Sequence, residues 1–197
     1  MSSVMARPRE FNTDVALEQA MQVFWAKGYE ATSLQDLIHA MGISKSSFYE
    51  TFGSKHELFM SAIEHYEDTV TKRLAGVLEG AAPARMVIAE VFDAIIKAAV
   101  AEGDRRGCLL CNSAVEVSPH DSEAAALVAT GLARVENAFH RAVVRGQDAG
   151  EIPAERDARA LARYLTSSAN GLQVMAKASP NRAALENVAG IVLSVLD

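Results

Sequence analysis

Several side chains that donate hydrogen bonds occur together near residue 50. Lys45, Ser46 and Ser47 are consecutive, and Tyr49 and Lys55 follow shortly after them. Ammonium and hydroxyl groups of this kind bind phosphate oxygens and the edges of bases. At the exposed start of a helix they would point in a common direction, so we interpret them as a candidate nucleic-acid contact. The alternative is that Tyr49 is partly buried and Lys55 is only solvated.

The two cysteines, Cys108 and Cys111, form a second candidate site. Gly107 precedes Cys108 at the predicted start of a helix, and Arg105 and Arg106 come directly before it. A helix N-terminus and neighbouring cations both favour the thiolate, which is the reactive form of cysteine. The pattern therefore suggests a sensor of oxidants or electrophiles. The alternative is that both thiols are small buried packing groups, because free cysteine is often buried.

The same Cys-x-x-Cys spacing occurs in thiol oxidoreductases, but the strand-containing framework of those enzymes is not visible in this sequence. A zinc site would need a fourth ligand besides Cys108, Cys111 and His120. The sequence also contains no glycine-rich phosphate loop, His-Glu metal motif or serine-nucleophile elbow. We predict that the chain is not an enzyme and has no catalytic residues, metal or cofactor.

Composition is typical of a folded protein with a substantial core, and charge alone does not indicate DNA. The 197 residues are 50% hydrophobic and 22% charged, and the formal net charge is −6. An acidic chain can still bind DNA if its few cations share one face, so the prediction depends on where Arg7, Arg9, Lys45 and Lys55 lie. No export signal or membrane-spanning stretch is recognisable, and we expect a cytoplasmic protein without a membrane partner.

The elements that would position these residues are all helical. Apolar residues recur at helical spacing, and strand alternation is absent. We predict an all-α fold with a small N-terminal unit and a larger C-terminal bundle. The predicted helices cover 13–27, 34–41, 45–51, 54–77, 86–101, 108–117, 123–147, 157–178 and 182–196.

Helix starts are predicted from residues whose side chains accept hydrogen bonds from the first backbone N–H groups of a helix. Proline is also tolerated at the first helical position, where its missing N–H would have no partner. The predicted caps are Ser33 with Asp36, Ser44, Ser54 with Glu57, Ser118 before Pro119, and Ser179 before Pro180.

The second and third predicted helices are short and are joined by a turn that contains Gly42. This is the helix-turn-helix arrangement, in which the second helix presents its N-terminal residues to the major groove of DNA. Residues at the start of both helices, and two arginines ahead of the first helix, are therefore candidates for contacts with bases, phosphates or the minor groove. The predicted DNA-binding residues are Arg7, Arg9, Thr32, Ser33, Gln35, Ser44, Lys45, Ser46, Ser47, Tyr49 and Lys55.

Residues 24–59 read FWAKGYEATSLQDLIHAMGISKSSFYETFGSKHELF. The succession of an aromatic residue, Gly-Tyr, Thr-Ser, Gly-Ile-Ser, Phe-Tyr, Phe, Lys and Leu-Phe resembles the N-terminal pattern of TetR-family transcriptional regulators. The resemblance covers residues 10–60, and the remaining chain is similar only in length and helical layout. It implies a three-helix DNA-binding domain at 1–55, with a mobile arm at 1–10, and an effector-binding and dimerisation domain at 56–197.

The resemblance further implies a homodimer that binds a near-palindromic operator in double-stranded DNA. The common behaviour of the family is repression that ends when a small-molecule effector binds. Thiol oxidation or electrophile modification is a second candidate signal here. The alternatives are a thiol oxidoreductase and an all-α dimeric interaction module that does not bind DNA.

In the TetR family the last two long helices of each subunit form a four-helix interface. The corresponding helices here, 157–178 and 182–196, carry broad apolar stripes that suit such packing. The alternative is that these stripes face the core of their own subunit. The predicted interface residues are Leu161, Leu165, Leu172, Met175, Leu185, Val188, Ala189, Val192 and Leu196.

An effector pocket in the C-terminal domain is also implied by the resemblance, although no motif identifies the ligand. We expect an apolar pocket between helices with a few polar groups. The alternative is that the aromatic residues belong to the core. The predicted pocket or sensor residues are Phe92, Ile96, Cys108, Cys111, Asn112, Phe139, His140, Tyr164 and Ser168.

Overall fold

The computed structural model describes residues 11–101 and 105–197, and these residues form helices joined by short loops. No strand occurs within these two ranges, and the predicted all-α fold is confirmed. The predicted mobile arm at 1–10, with Arg7 and Arg9, lies outside the described residues. None of the helices in the described part of the chain has both the length and the apolar character needed to cross a membrane.

The helical elements follow one another in an order close to the predicted one. The main difference is that the long fourth helix is divided by a π-helical turn. The elements are α1 (Thr13–Lys27), α2 (Leu34–Met41), α3 (Lys45–Phe52), α4 (Lys55–Tyr66), the π-helical turn (Glu67–Thr71), α5 (Lys72–Leu78), α6 (Ala84–Val100), α7 (Leu109–Glu116), α8 (Ser122–Asp148), α9 (Ala158–Ala178) and α10 (Arg182–Ser194).

The caps predicted for two helices are wrong, although these helices begin within one residue of the predicted positions 123 and 182. Helix α8 is capped by the carboxylate of Asp121, and α10 is capped by the side chain of Asn181. Ser118 lies ahead of the first cap, and Ser179 ends α9. Asp and Asn accept backbone hydrogen bonds at least as well as Ser, and here they lie directly before the helix.

The π-helical turn carries two polar residues, Glu67 and Thr71, that are buried. The Glu67 carboxylate forms an ion pair with Arg134 of α8. Gly131, one turn earlier on α8, makes room for this carboxylate, because a Cβ atom there would clash with the Glu67 side chain. Continuous helical spacing in the sequence did not predict this turn.

The chain divides into two compact units, Met1–His65 and Tyr66–Asp197. In the first unit, the ring of Phe59 on α4 packs edge to face on the ring of Phe24 on α1, with centroids 5.1 Å apart. Residues of α4 therefore share the core of the first unit, which extends beyond the predicted boundary at residue 55.

The second unit has its own apolar core. Helix α8 packs against α6, α7 and α9, and α10 packs against α6 and α9. Phe92 and Phe139 are among the largest buried side chains, and their ring centroids are 6.4 Å apart. The inward faces of α9 and α10 are thus occupied by the core of their own chain.

Candidate nucleic-acid interface

Helices α2 and α3 and the turn between them form the candidate interface. The capping box predicted at the start of α2 is present: the Asp36 N–H donates to the Ser33 hydroxyl at 3.1 Å, and the Ser33 N–H donates to the Asp36 carboxylate at 2.9 Å. Gly42 ends α2 with a φ of 63°, in the left-handed region that favours glycine. The chain can therefore turn sharply, and α3 begins at Lys45.

The start of α3 is organised by Ser44. Its hydroxyl accepts a hydrogen bond from the Ser47 N–H at 3.1 Å, which confirms the predicted cap. The hydroxyl oxygens of Ser46 and Ser47 each lie 2.9 Å from the Ser44 Oγ. These three serines therefore share hydrogen bonds with one another. Lys45, by contrast, is exposed and forms no ion pair with a residue that the structure describes.

Two adjacent aromatic residues of α3 divide between core and surface. Phe48 is fully buried, whereas Tyr49 has 49% of its surface exposed. Their rings meet edge to face, with centroids 5.3 Å apart. Phe48 anchors α3 in the core of the first unit, and the packing against Phe48 fixes Tyr49 at the surface.

Lys55 is the first residue of α4 and rests on an aromatic ring. Its ammonium nitrogen lies over the ring of Tyr29, 4.3 Å from the centroid. Among the described residues no carboxylate pairs with Lys55, so the positive charge is not neutralised. A lysine at a helix N-terminus is well suited to bind phosphate. Tyr29 is not among the predicted site residues. The only feature of the sequence that could have pointed to it is its place in the Gly-Tyr pair of the N-terminal pattern.

Lys27, at the end of α1, has the opposite arrangement. Its ammonium lies 2.7 Å from the Asp36 carboxylate. This hydrogen bond, followed by those from Ser33, holds the pKa of Asp36 well below its ordinary value. The charge of Lys27 is therefore neutralised within the first unit.

Thr32 does not belong to the exposed surface. It is buried, and its hydroxyl donates to the carbonyl oxygen of Gly28 at 2.6 Å. The predicted DNA contact at Thr32 is therefore corrected, because this side chain holds the turn after α1 together. Ser33 and Gln35 are exposed at the start of α2, in agreement with their predicted position.

The two cysteines lie at the start of α7, with Cys108 at the N-cap position. Cys108 retains some exposed surface, but burial of its thiol raises the pKa. Hydrogen bonds from the Cys111 N–H and the Tyr66 hydroxyl act in the opposite direction, and the effect of burial is larger. Burial also raises the pKa of the Cys111 thiol. The predicted preference for thiolate is therefore wrong, because the loss of hydration exceeds the effect of the helix N-terminus.

Asn112 connects the loop before α7 to α9. Its amide nitrogen donates to the carbonyl oxygen of Arg106 at 2.9 Å, and its Oδ1 accepts from the Lys177 ammonium at 2.9 Å. Asn112 thus lies close to both cysteines, and its hydrogen bonds fix the loop that carries Cys108. Where the structure describes the chain, no three His, Cys, Asp or Glu side chains are grouped as metal ligands would be.

The other predicted pocket residues do not line one site. Phe92, Ile96 and Phe139 are buried in the core of the second unit, which is the alternative considered from the sequence. Tyr164 is exposed on α9. The remaining members, His140 and Ser168, are partly exposed.

Most of the predicted interface residues are buried in the core of their own chain, because α9 packs on α6 and α8, and α10 packs on α6. The prediction is corrected for Leu161, Leu165, Leu172, Leu185, Ala189, Val192 and Leu196. Met175 and Val188 are exposed as an interface requires. The full set of large exposed apolar residues on α9 and α10 is Tyr164, Val174, Met175, Val188 and Ile191.

Comparison with known sequences gives matches over both units. The sequence model of bacterial regulatory proteins of the tetR family matches residues 16–62, and that of the tetracyclin repressor-like C-terminal domain matches residues 83–192. The chain is 36% identical to the uncharacterized HTH-type transcriptional regulator YezE of Bacillus subtilis (strain 168), over 98% of this chain and 100% of that protein. It is 30% identical to the HTH-type transcriptional repressor ComR of Escherichia coli (strain K12), over 95% of this chain and 90% of that protein.

Similar solved structures include one with DNA. A cysteine mutant of the TetR family transcriptional regulator CifR, complexed with 26-bp double-strand operator DNA, has a TM-score of 0.87 and 33% identity, over 97% of this chain and 100% of that chain. The reduced form of E. coli NemR has a TM-score of 0.85 and 22% identity, over 93% of this chain and 96% of that chain. The second comparison concerns the fold alone.

Proposed function

This chain belongs to the TetR family of bacterial regulatory proteins, and we propose that it is a homodimeric repressor that binds a near-palindromic operator. As a member of this family it is a DNA-binding transcriptional regulator and not an enzyme. The thiol oxidoreductase alternative is therefore rejected. Repression as the direction of regulation is supported by ComR, which is named a repressor.

The proposal depends mainly on one observation: the donors at the starts of α3 and α4 are at least partly exposed, and their lysines are not neutralised. Lys45 and Lys55 form no ion pair with a carboxylate in the described ranges, and Tyr49 is exposed between them. The N–H groups at the start of a helix also favour anions. DNA presents phosphates at regular spacing, so these groups are suited to the operator backbone and to base edges. The operator complex of the CifR mutant supports DNA as the ligand.

We propose that α9 and α10 form the dimer interface through their exposed apolar residues, and not through their buried stripes. Of the nine large hydrophobic residues exposed in the described ranges, five lie on these two helices. Exposed apolar residues that are concentrated on two packed helices suit a protein interface. Gly171 and Gly190 have open space beside them, so a second copy can approach closely. A two-fold dimer would present two α3 helices to a palindromic site.

The dimer interface can be tested by placing charge on this surface. The double variant Val174→Glu with Ile191→Glu is expected to be a monomer, because two charges per subunit would have to be buried. Light scattering during gel filtration measures the mass. Met86→Glu changes an exposed apolar residue on α6 and should leave the dimer intact. A dimeric double variant would contradict the assigned surface.

We propose that repression ends when a small-molecule effector binds to the second unit. The raised pKa of both thiols favours an effector that binds over an oxidant that reacts with thiolate. Such an effector releases DNA only if it binds the DNA-free state more tightly than the DNA-bound state.

Selection of duplexes from a random-sequence library tests the proposed function. Salt must be fixed, because phosphate contacts make affinity strongly salt-dependent. We expect recovery of an inverted repeat whose half-sites lie about one helical turn, or a multiple of it, apart. Recovery of no common sequence would contradict operator binding and favour the interaction module. Loss of binding on mild thiol oxidation in the wild type, but not in Cys108→Ser, would identify the thiol as the signal.

A further inference from the structure

We propose that Tyr29 is a positioning residue that holds the Lys55 ammonium in place for a phosphate of the operator. The inference rests on the proposed function, because it assumes that Lys55 binds DNA. It adds a residue that acts through Lys55 and does not itself need to contact the DNA.

The contact between Lys55 and Tyr29 has the geometry of a cation–π interaction. The ammonium nitrogen is 4.3 Å from the ring centroid, and the attraction acts within about 6 Å. Both residues are partly exposed. At such positions a cation–π contact changes an equilibrium constant by about two- to fivefold. The ring therefore favours one arrangement of a lysine side chain that would otherwise adopt many.

The ring of Tyr29 is itself held by two buried aromatic residues. It stacks on Phe24 with centroids 6.1 Å apart, and it lies 4.7 Å from the ring of Phe59. Both phenylalanines are almost completely buried. The carbonyl oxygen of Tyr29 also accepts the Thr32 N–H at 3.2 Å. The ring is thus a fixed part of the first unit, and it transfers that fixed position to the Lys55 ammonium.

An aromatic partner has a consequence for DNA binding that a carboxylate partner would not have. Lys27 is held by Asp36, and that ion pair neutralises its charge. The ring of Tyr29 attracts the Lys55 ammonium but carries no net charge, so the full positive charge remains for a phosphate. Ordering the side chain before DNA arrives also reduces the conformational entropy lost on binding.

A double-mutant cycle on operator binding tests this inference. The full-length protein is titrated at fixed salt with the duplex recovered from the random-sequence library. Lys55→Gln is expected to weaken binding about tenfold, because one charge-assisted contact is lost in each subunit of the proposed dimer. Tyr29→Leu is expected to weaken it about two- to fivefold. The double variant should bind no more weakly than Lys55→Gln alone. Lys97→Gln, which removes an exposed and paired lysine of α6, should bind as the wild type does.

A second series keeps the ring, because Tyr29→Leu also removes packing against Phe24 and Phe59. Tyr29→Phe retains the ring face and is expected to bind within about twofold of the wild type. Stepwise fluorination of that phenylalanine withdraws electron density from the ring with little change in size. Binding should weaken with each fluorine, and this trend should vanish in the Lys55→Gln background.

The outcomes separate this inference from the proposed function. Equal weakening by Tyr29→Leu with and without Lys55, or equal affinity across the fluorinated series, would overturn the positioning role of Tyr29 while the phosphate contact stands. Wild-type affinity of Lys55→Gln would instead overturn the phosphate contact, and with it any role of Tyr29 through Lys55.

Discussion

The two units of the chain use their cations differently. At the starts of α3 and α4 in the first unit, Lys45 and Lys55 have no carboxylate partner in the described ranges. In the second unit, several arginines of α8 and α9 pair with carboxylates of other segments, for example Arg134 with Glu67, Arg141 with Glu79, and Arg159 with Glu136. The same kind of side chain is therefore left available for an external anion in one unit and joins segments of the protein in the other.

This difference explains how a chain with a net charge of −6 can bind DNA. Surface potential depends on where charges lie, and paired cations contribute little to it. Lys27 shows that the distinction is local, because it lies in the first unit but is paired with Asp36. Under the proposed function, the lysines that bind DNA are distinguished by the lack of a carboxylate partner in the described ranges, and not by the total charge of the chain.

The largest effect is expected for the most buried of the ion-paired carboxylates, Glu67. Arg134→Leu removes an ion-pair partner of the Glu67 carboxylate, whose side chain is 2% exposed, and should lower the free energy of unfolding by about 3 kcal/mol. Urea denaturation measures this change. Lys97→Leu breaks an exposed pair with Asp93 and should cost less than about 1 kcal/mol. An equally small loss in Arg134→Leu would show that the pair does not support the π-helical turn.

The unpaired lysines should affect binding and not folding. Lys45→Ala combined with Lys55→Ala is expected to weaken operator binding about 100-fold, because two charge-assisted contacts are lost in each subunit of the proposed dimer. Fluorescence anisotropy at fixed salt measures the affinity, and the urea midpoint should stay at the wild-type value. Lys97→Ala serves as the control for loss of a lysine. A double variant that binds normally would remove the distinction between the units.

Acid should weaken the contribution of the Lys27–Asp36 ion pair to the stability of the first unit. Lys27, and after it Ser33, depress the folded-state pKa of Asp36. The stability that Asp36 contributes is therefore present above the pKa of the unfolded chain, about 4, and is lost as the pH falls through the folded-state pKa. The melting temperatures of wild type and Asp36→Asn should converge on acidification below about pH 4. A gap that stays constant down to about pH 2 would contradict the pairing.

The smallest effect is expected at the thiols. Burial raises the pKa of Cys108 and Cys111, so iodoacetamide should modify both more slowly than free cysteine near neutral pH. The rate should continue to rise above about pH 8.5, the ordinary thiol pKa. Mass spectrometry of Cys108→Ser and Cys111→Ser assigns the rates. Modification faster than that of free cysteine at neutral pH would restore the thiolate hypothesis.

The helices and the helix-turn-helix could be predicted because their signals are local. Apolar spacing and the caps Ser33 and Ser44 act within a few residues of the helix that they define. The two wrong caps have the same local basis, since Asp121 and Asn181 also accept hydrogen bonds from the first N–H groups of a helix. Competing caps that lie a few residues apart are difficult to rank from sequence.

The remaining errors concern neighbours that are distant in sequence. An apolar stripe has the same pattern whether it faces its own core or a partner, so the sequence predicts Leu165 at the interface although it is buried in the chain. Ile191, which is exposed, was not assigned. The helix N-terminus at Cys108 is a local feature that favours thiolate. The burial of the Cys108 thiol, which raises its pKa, depends on the whole fold. The position of Tyr29 under Lys55 likewise arises only when α4 packs near α1.

The central claim is that unpaired lysines of the first unit bind operator phosphates. Its most direct test is the slope of log K against log salt concentration for wild type, Lys27→Ala, and Lys45→Ala combined with Lys55→Ala. Each lost phosphate contact lowers the magnitude of the slope by about 0.9, so losing both lysines in both subunits should lower it by about 3.6. Lys27→Ala should leave the slope unchanged. The claim is contradicted if the slope of the double variant equals that of the wild type, or if Lys27→Ala lowers it as much.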